Sequence, residues 1–323
     1  MIPQAITVEP DKILRELRDL WEKLGRDQET AGGVLRACAM TLMVATDSGA
    51  GQADADSVRQ TIGVLMHDHP SRAIVLIPSE GSDISARVFA ECWMPLGGQR
   101  QICAEGIEIT ADPVQSTEVA RLLVPLIAPD LPVVLWCRGA RAFLDRSLDP
   151  LLPLAGKIIF DTGSARHAPS AIEFLRRLRK DGCGVADLAW TRLTGWREIA
   201  AHFFDDGLAD AQSVTSARLT HGGAAPGSSV LYFAQWIERA LPRVQVKLEA
   251  AGGEPGLRAV VLSGGGAEFS IELSSQHGEG SCVEVRAGGK SARSLLPPSS
   301  DDALMREELS ILGTDPVFER VLG

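Results

Sequence analysis

Asp161 closes the apolar run "IIFDTGS" (158–164), and a strand that delivers Asp-Thr-Gly to a loop is the arrangement of an aspartic protease. That chemistry needs two carboxylates sharing one proton. The chain has no second copy of the tripeptide, and the surrounding pattern alternates helices with strands, where such a protease would be all-β. Asp161 is therefore read as a carboxylate at the carboxyl end of a strand, placed to line a crevice. His67 and His69 in "MHDHPSR" stand two apart with no third ligand cluster, so they are read as a polar turn ending a helix and no metal is assigned. A serine nucleophile turn of the Gly-x-Ser-x-Gly kind does not occur. "SGGGAEF" (263–269) joins two alternating segments with no helix after it, so it reads as a hairpin loop and not as a phosphate cradle. No catalytic residue and no cofactor are assigned.

A different constellation stands out in "DLAWTRLTGWRE" (187–198), which places Trp190, Arg192, Trp196 and Arg197 within a dozen positions of a chain that has 6 Trp, 1 Tyr and 9 Phe in 323 residues. Trp136 and Arg138 form a smaller pair of the same kind in "LPVVLWCRG" (131–139). Tryptophan supplies rigid apolar area, and arginine supplies forked donors for carboxylates or phosphate oxygens, so these six residues are candidates for a partner-binding surface. The same composition also builds a core corner whose indole N–H groups are satisfied internally. With "DLAWTRL" as a strand, Trp190 and Arg192 share one face, and Thr194 serves as N-cap of a helix carrying Trp196 and Arg197.

The elements that position these residues follow from periodicity. Apolar residues at helical spacing from Asp11 to Gly25 predict an amphipathic helix, "VLRACAMTLMVAT" from Val34 a strand-like run, and Asp54 to His67 a second helix. "RAIVLIP", "ARVFAECWM" and "QICAEGIEIT" predict strands, the last two an antiparallel pair. From Pro113 onward, short apolar strands ("LPVVLWC", "KIIFD") alternate with helices, which indicates parallel pairing. The turn-forming segment "DTGSARHAPS" marks the domain change. A helix at Ser229–Leu241 then precedes "VQVKLEA", "RAVVLSG", "EFSIELSS" and "CVEVRAG", read as an antiparallel meander, and a terminal helix at Asp301–Gly313. The expected fold is α/β (mixed α+β): residues 1–165 form an N-terminal domain with a mixed sheet and flanking helices, and residues 166–323 form a C-terminal α+β domain with the meander and helices.

A formal net charge of -10 leaves no Lys/Arg excess to displace the counterions of a nucleic acid. The one basic run, "RRLRK" (176–180), suits the last turn of a helix. The longest apolar stretch, Leu122–Cys137, holds Asp130 and three prolines and is no membrane span, and "MIPQAITVEPDK" does not read as a signal peptide, so a cytoplasmic protein is expected. The six cysteines show no zinc or redox spacing and are expected to be free thiols.

"DLAWTRLTGWRE", with "LPVVLWCRG", "HPSRAIVLI" (69–77) and "CAEGIEI" (103–109), resembles the OpcA family of bacterial glucose-6-phosphate dehydrogenase assembly proteins. The matching strings run in order from about residue 67 to 205. The resemblance implies a non-catalytic protein that binds glucose-6-phosphate dehydrogenase and promotes its active oligomer. It supplies no catalytic residues. Two other readings stay open on the residues: an enzyme or sugar-phosphate-binding protein using Asp161 and arginines at strand carboxyl ends, and an interaction subunit of another metabolic enzyme.

Overall fold

The computed structural model describes residues 8–26, 33–47, 51–81, 83–97, 100–205, 210–277, 280–311 and 313–323, without the side chains of 51–54 and 275–280. Residues 1–7, part of the stretch read for a leader, lie outside them. The chain divides into two compact units, Met1–Asp161 with Leu178–Val185 and Leu309–Gly313, and Thr162–Arg177 with Ala186–Glu308 and Thr314–Gly323.

The first unit is built on α1 (Pro10–Arg26), β1 (Val34–Arg36), β2 (Met40–Ala45), α2 (Gly51–Asp68), β3 (Ser71–Pro78), β4 (Ser85–Trp93), β5 (Gln101–Ala111), α3 (Ser116–Leu123), β6 (Val133–Cys137), α4 (Arg141–Leu144) and β7 (Lys157–Phe160). After α5 (Ala168–Lys180), β8 (Gly184–Asp187) completes an eight-stranded sheet in the order β1-β5-β3-β2-β6-β7-β8, with β4 antiparallel on β5. The ladders from β5 through β7 are parallel. Strand β2, "MTLMVA", is buried at every position, as a strand covered on both faces must be. The run from Val34 is two strands and not one. Because β1 pairs with β5 while β2 lies between β3 and β6, the chain must step across the sheet at residues 37–39.

Strand β5 carries two buried acids that anchor the unit. Glu105 accepts from Trp21 Nε1, Arg36 Nη2 and Arg72 Nε, each at 2.6 Å. Glu108, three positions on and so on the opposite face, pairs with Arg59 of α2 and with Arg87, its cross-strand neighbour on β4. Burial alone would raise both carboxyls, but hydrogen bonds and the facing guanidinium groups outweigh it and hold both below the ordinary glutamate range. Between them, Gly106 faces Phe89 across the ladder, and any side chain at 106 would run into that ring.

Cys92 and Cys103 are register partners on β4 and β5, with Cα atoms 4.1 Å apart, and they form a disulfide. This corrects the expectation of six free thiols. The pair is eleven residues apart, a separation that matches no local motif, and only the hairpin brings it together. Cys38, Cys137, Cys183 and Cys282 are free, and burial pushes the Cys137 thiol far up.

The second unit contains α6 (Leu188–Thr191), α7 (Thr194–Asp205), β9 (Ser216–Gly222), α8 (Ser228–Ala240), β10 (Gln245–Ala250), β11 (Gly256–Gly264), β12 (Ala267–His277), β13 (Gly280–Ala287), β14 (Lys290–Leu296), α9 (Asp301–Leu309) and α10 (Pro316–Leu322). Its sheet order is β10-β9-β11-β12-β13-β14. The meander is β11 to β14, and β10 is not its first strand. Helix α8 makes β9-α8-β10 a crossover unit, so β10 pairs with β9 in parallel at the sheet edge.

Because both glutamates titrate below the ordinary value of 4.5, the stability they contribute is present above that pH and is lost as pH falls through their folded-state values. Glu105→Gln is expected to lower stability at pH 7 by about 3 kcal/mol, since Arg72 loses its buried counterion. It is also expected to flatten the decline of the urea midpoint below pH 4.5, which a pH series on both proteins measures.

Candidate functional site

The Trp/Arg string does not form a strand at Trp190. The strand ends at Asp187, whose side chain accepts from the Ala189 N–H and caps α6, so Trp190 and Arg192 belong to a helical turn. Thr194 is likewise no N-cap. Helix α7 begins at Thr194 itself, the Leu193 carbonyl accepts from the Arg197 N–H, and the Thr194 hydroxyl donates to Glu307 at 2.6 Å while accepting from Arg197 Nη2 at 2.8 Å.

Asp187 is fully buried and is the node of this corner. One carboxylate oxygen accepts from the N–H groups of Thr162 and Ala189 at 3.0 and 2.9 Å, and the other from the hydroxyls of Thr162 and Tyr232 at 2.5 and 2.7 Å. Burial, and then the facing carboxylate, keeps the Tyr232 phenol protonated to well above its usual range, so that it stays a donor. Trp190, 2 % exposed, packs against Tyr232 edge-on at 6.4 Å and against Phe318 at 5.7 Å, and its Nε1 donates to Asp315 at 2.8 Å. Asp315 in turn caps α10 through the Val317 N–H. The Arg197 guanidinium lies over the Trp190 ring at 3.8 Å, and burial lowers its pKa against the pull of Asp315 and Glu307. Thr191 adds a hydroxyl bond to Glu308 at 2.9 Å.

Trp196 is 6 % exposed and Trp136, on β6 of the first unit, 1 %. Arg192, Arg197 and Arg138 are half-buried. The structure thus brings Trp190 and Arg197 into one stacked pair and buries all three tryptophans, and it leaves Arg192 and Arg138 half-buried. Sequence reading missed Tyr232, Asp315, Phe318, Glu307 and Glu308. Their contribution depends on long-range packing, and only the cap at Asp187, an acid just before a helical turn, was visible locally.

In the first unit a pocket of about 360 Å³, its open mouth included, lies at the carboxyl ends of β2, β3 and β5, lined by Ala45, Pro78, Ala111, Asp112, Ser147 and the buried Arg141 among others. Arg141 Nε donates to Ser147 at 2.8 Å, and Asp161 is not in the lining. His67 stacks on Trp93 at 4.8 Å. Among the described residues no group of three or more His, Cys, Asp or Glu is placed to hold a metal ion, and no helix is long and apolar enough to cross a membrane.

Two family models match the chain: residues 63–179 match the N-terminal domain of a glucose-6-phosphate dehydrogenase subunit, and residues 183–322 its C-terminal domain. The chain belongs to the OpcA family. An OpcA protein of the OxPP cycle from Synechococcus elongatus is 25% identical over 310 residues, a match covering 80% of this chain and 68% of the relative. OpcA of Synechocystis is 26% identical over 140 residues, covering 42% of this chain and 30% of the relative. In fold, an oxidoreductase from Desulfitobacterium hafniense described as NADPH-dependent superposes with a TM-score of 0.50 at 10% identity, over 88% of this chain and 92% of that one. At that identity the likeness concerns the fold alone. OpcA membership agrees with the resemblance carried by the Trp/Arg string, which lies inside the second matched region.

Asp187→Ala is expected to strip an acceptor from Thr162, Ala189 and Tyr232 together and to cost about 3–5 kcal/mol, and Trp190→Ala about the same through the cavity it leaves. Chemical denaturation of each variant measures both. A loss under about 1 kcal/mol for either would contradict the corner as drawn.

Proposed function

We propose that this chain is a non-catalytic, cytoplasmic partner of glucose-6-phosphate dehydrogenase that binds the enzyme and promotes its active oligomer. The observation that carries the reading is the pair of matches to glucose-6-phosphate dehydrogenase subunit domains, which together account for residues 63–179 and 183–322. The geometry supports it in a specific way. Trp190 and Arg197 are held by an internal hydrogen bond each and by stacking on one another, which supports reading this part of the string as a rigid corner and not as a nucleophile or a general base. In this reading Trp190, Trp196 and Trp136 shape their surroundings from within, Arg197 is fixed as the cover of Trp190, and Arg192 and Arg138 are the candidates for touching the enzyme.

Mixing the purified chain with its cognate dehydrogenase is expected to shift the enzyme's elution and to raise its activity at low enzyme concentration. Absence of a complex with both proteins at micromolar concentration would sink the proposal. On the same footing, Arg192→Ala is expected to weaken the complex formed by the folded variant by about 1–3 kcal/mol. Arg197→Ala is expected to lower the melting temperature instead. Thermal unfolding and titration on the two variants separate these outcomes.

A further inference from the structure

The sheet of the second unit has one face buried under its own helices. Phe203 of α7 stacks on Phe269 of β12 at 4.3 Å, and Leu219, Val260, Ile271 and Val283 point the same way and are buried. By strand alternation the opposite face is set by the intervening residues. The register places these in two rows that cross all six strands. One row reads Lys247, Arg218, Val261, Ser270, Arg286, Ser291, and the neighbouring row reads Glu249, Thr220, Ala259, Glu272, Glu284, Arg293. Every member is exposed or half-exposed.

The first row holds the cations Lys247, Arg218 and Arg286 and no acid. The second holds the acids Glu249, Glu272 and Glu284, with Arg293 at its far end. Within the chain the two rows are already tied by Lys247–Glu249 at 2.8 Å and Arg286–Glu284 at 2.8 Å. Consider a two-fold axis lying between the rows and parallel to them. It turns the face over onto a second copy and exchanges the rows while keeping each position along them. Lys247 then stands opposite Glu249 of the other copy, Arg286 opposite Glu284, Ser270 opposite Glu272, and Val261 opposite Ala259. Each contact occurs twice, as a two-fold interface requires.

From this self-complementarity we infer that the open sheet face is a docking surface for a second copy of this chain, forming a face-to-face dimer. On the middle strands Val261 faces Ala259 of the other copy, while Glu272 faces Ser270 and Arg218 faces Thr220, with the two sheets about 10 Å apart. The two sets of paired charges sit on β10 and β13, on either side of the Val261 and Ala259 contact. Six strands at a spacing of about 4.8 Å give the face a width of about 25–30 Å. A flat face of one charge sign would repel its copy, and two opposite rows in this register attract it.

The test uses the full chain alone, by sedimentation equilibrium from 1 to about 100 µM, so that it is independent of dehydrogenase binding. A dimer is expected, weakened by salt because the paired charges are exposed. Lys247→Glu sets like charges opposite each other twice per dimer and is expected to weaken association by about tenfold or more. Glu249→Lys is expected to do the same. The double variant Lys247→Glu with Glu249→Lys inverts both rows locally, restores complementarity, and is expected to recover the wild-type constant. Circular dichroism melting confirms that each variant is folded, as exposed positions predict. A wild-type monomer throughout the range, a dimer indifferent to both reversals, or no recovery in the double variant would each overturn the inference. So would a monomer whose dehydrogenase binding alone responds to the reversals, since the face would then belong to that enzyme.

Discussion

The carboxylate of Asp187 is the constraint from which the second unit's corner is built. An ionised acid removed from water is tolerated only when its lone pairs are filled, and Asp187 draws its donors from residues 162, 189 and 232, three segments far apart in sequence. Its position fixes the start of α6, and that start sets where Trp190 points. Trp190 then selects its own neighbours: Asp315 for its N–H, Tyr232 edge-on, Phe318 tilted against it, and Arg197 over its ring. The corner is therefore a chain of consequences from one buried charge, and its aromatic and basic residues are spent on holding shape.

The first unit solves a similar problem by a different route. Strand β5 sends Glu105 to one face of the sheet and Glu108 to the other, and each meets guanidinium groups from separate elements. Glu105 reaches Trp21 of α1 and Glu108 reaches Arg59 of α2, so that helices on opposite faces are registered against one strand. Apolar packing is indifferent to small slides of a helix over a sheet, whereas charge-assisted hydrogen bonds are directional. The two acids supply the register that the Leu-, Ile- and Val-rich core does not.

The contrast between the two sheets bears on function. The parallel sheet is covered on both faces, and its carboxyl-end pocket is mostly apolar around a single buried arginine. The second sheet is covered on one face and presents the other as ordered rows of opposite charge. In this chain that open charged face lies on the unit that also contains the Trp/Arg corner, within the region matching the C-terminal domain of a glucose-6-phosphate dehydrogenase subunit.

Much of the architecture was legible in the residues themselves. Helical periodicity at residues 11–25, continuous apolar runs at β2, β3 and β6, and alternation on β4 and β5 determined those elements, because each depends on which side of a local segment meets water. "DLAWTRLTGWRE" was specific enough to point to the family, but not to its own conformation: a strand and a capped helical turn place the same residues differently, and the buried Asp187 decided between them. The break between β1 and β2, the edge position of β10 and the Cys92–Cys103 bond were also settled by tertiary structure. Each depends on which strands become neighbours, and no local pattern of apolar and polar residues encodes that choice. Sequence determined the elements through their exposure, and the fold decided the partners because pairing is a property of distant segments meeting in space.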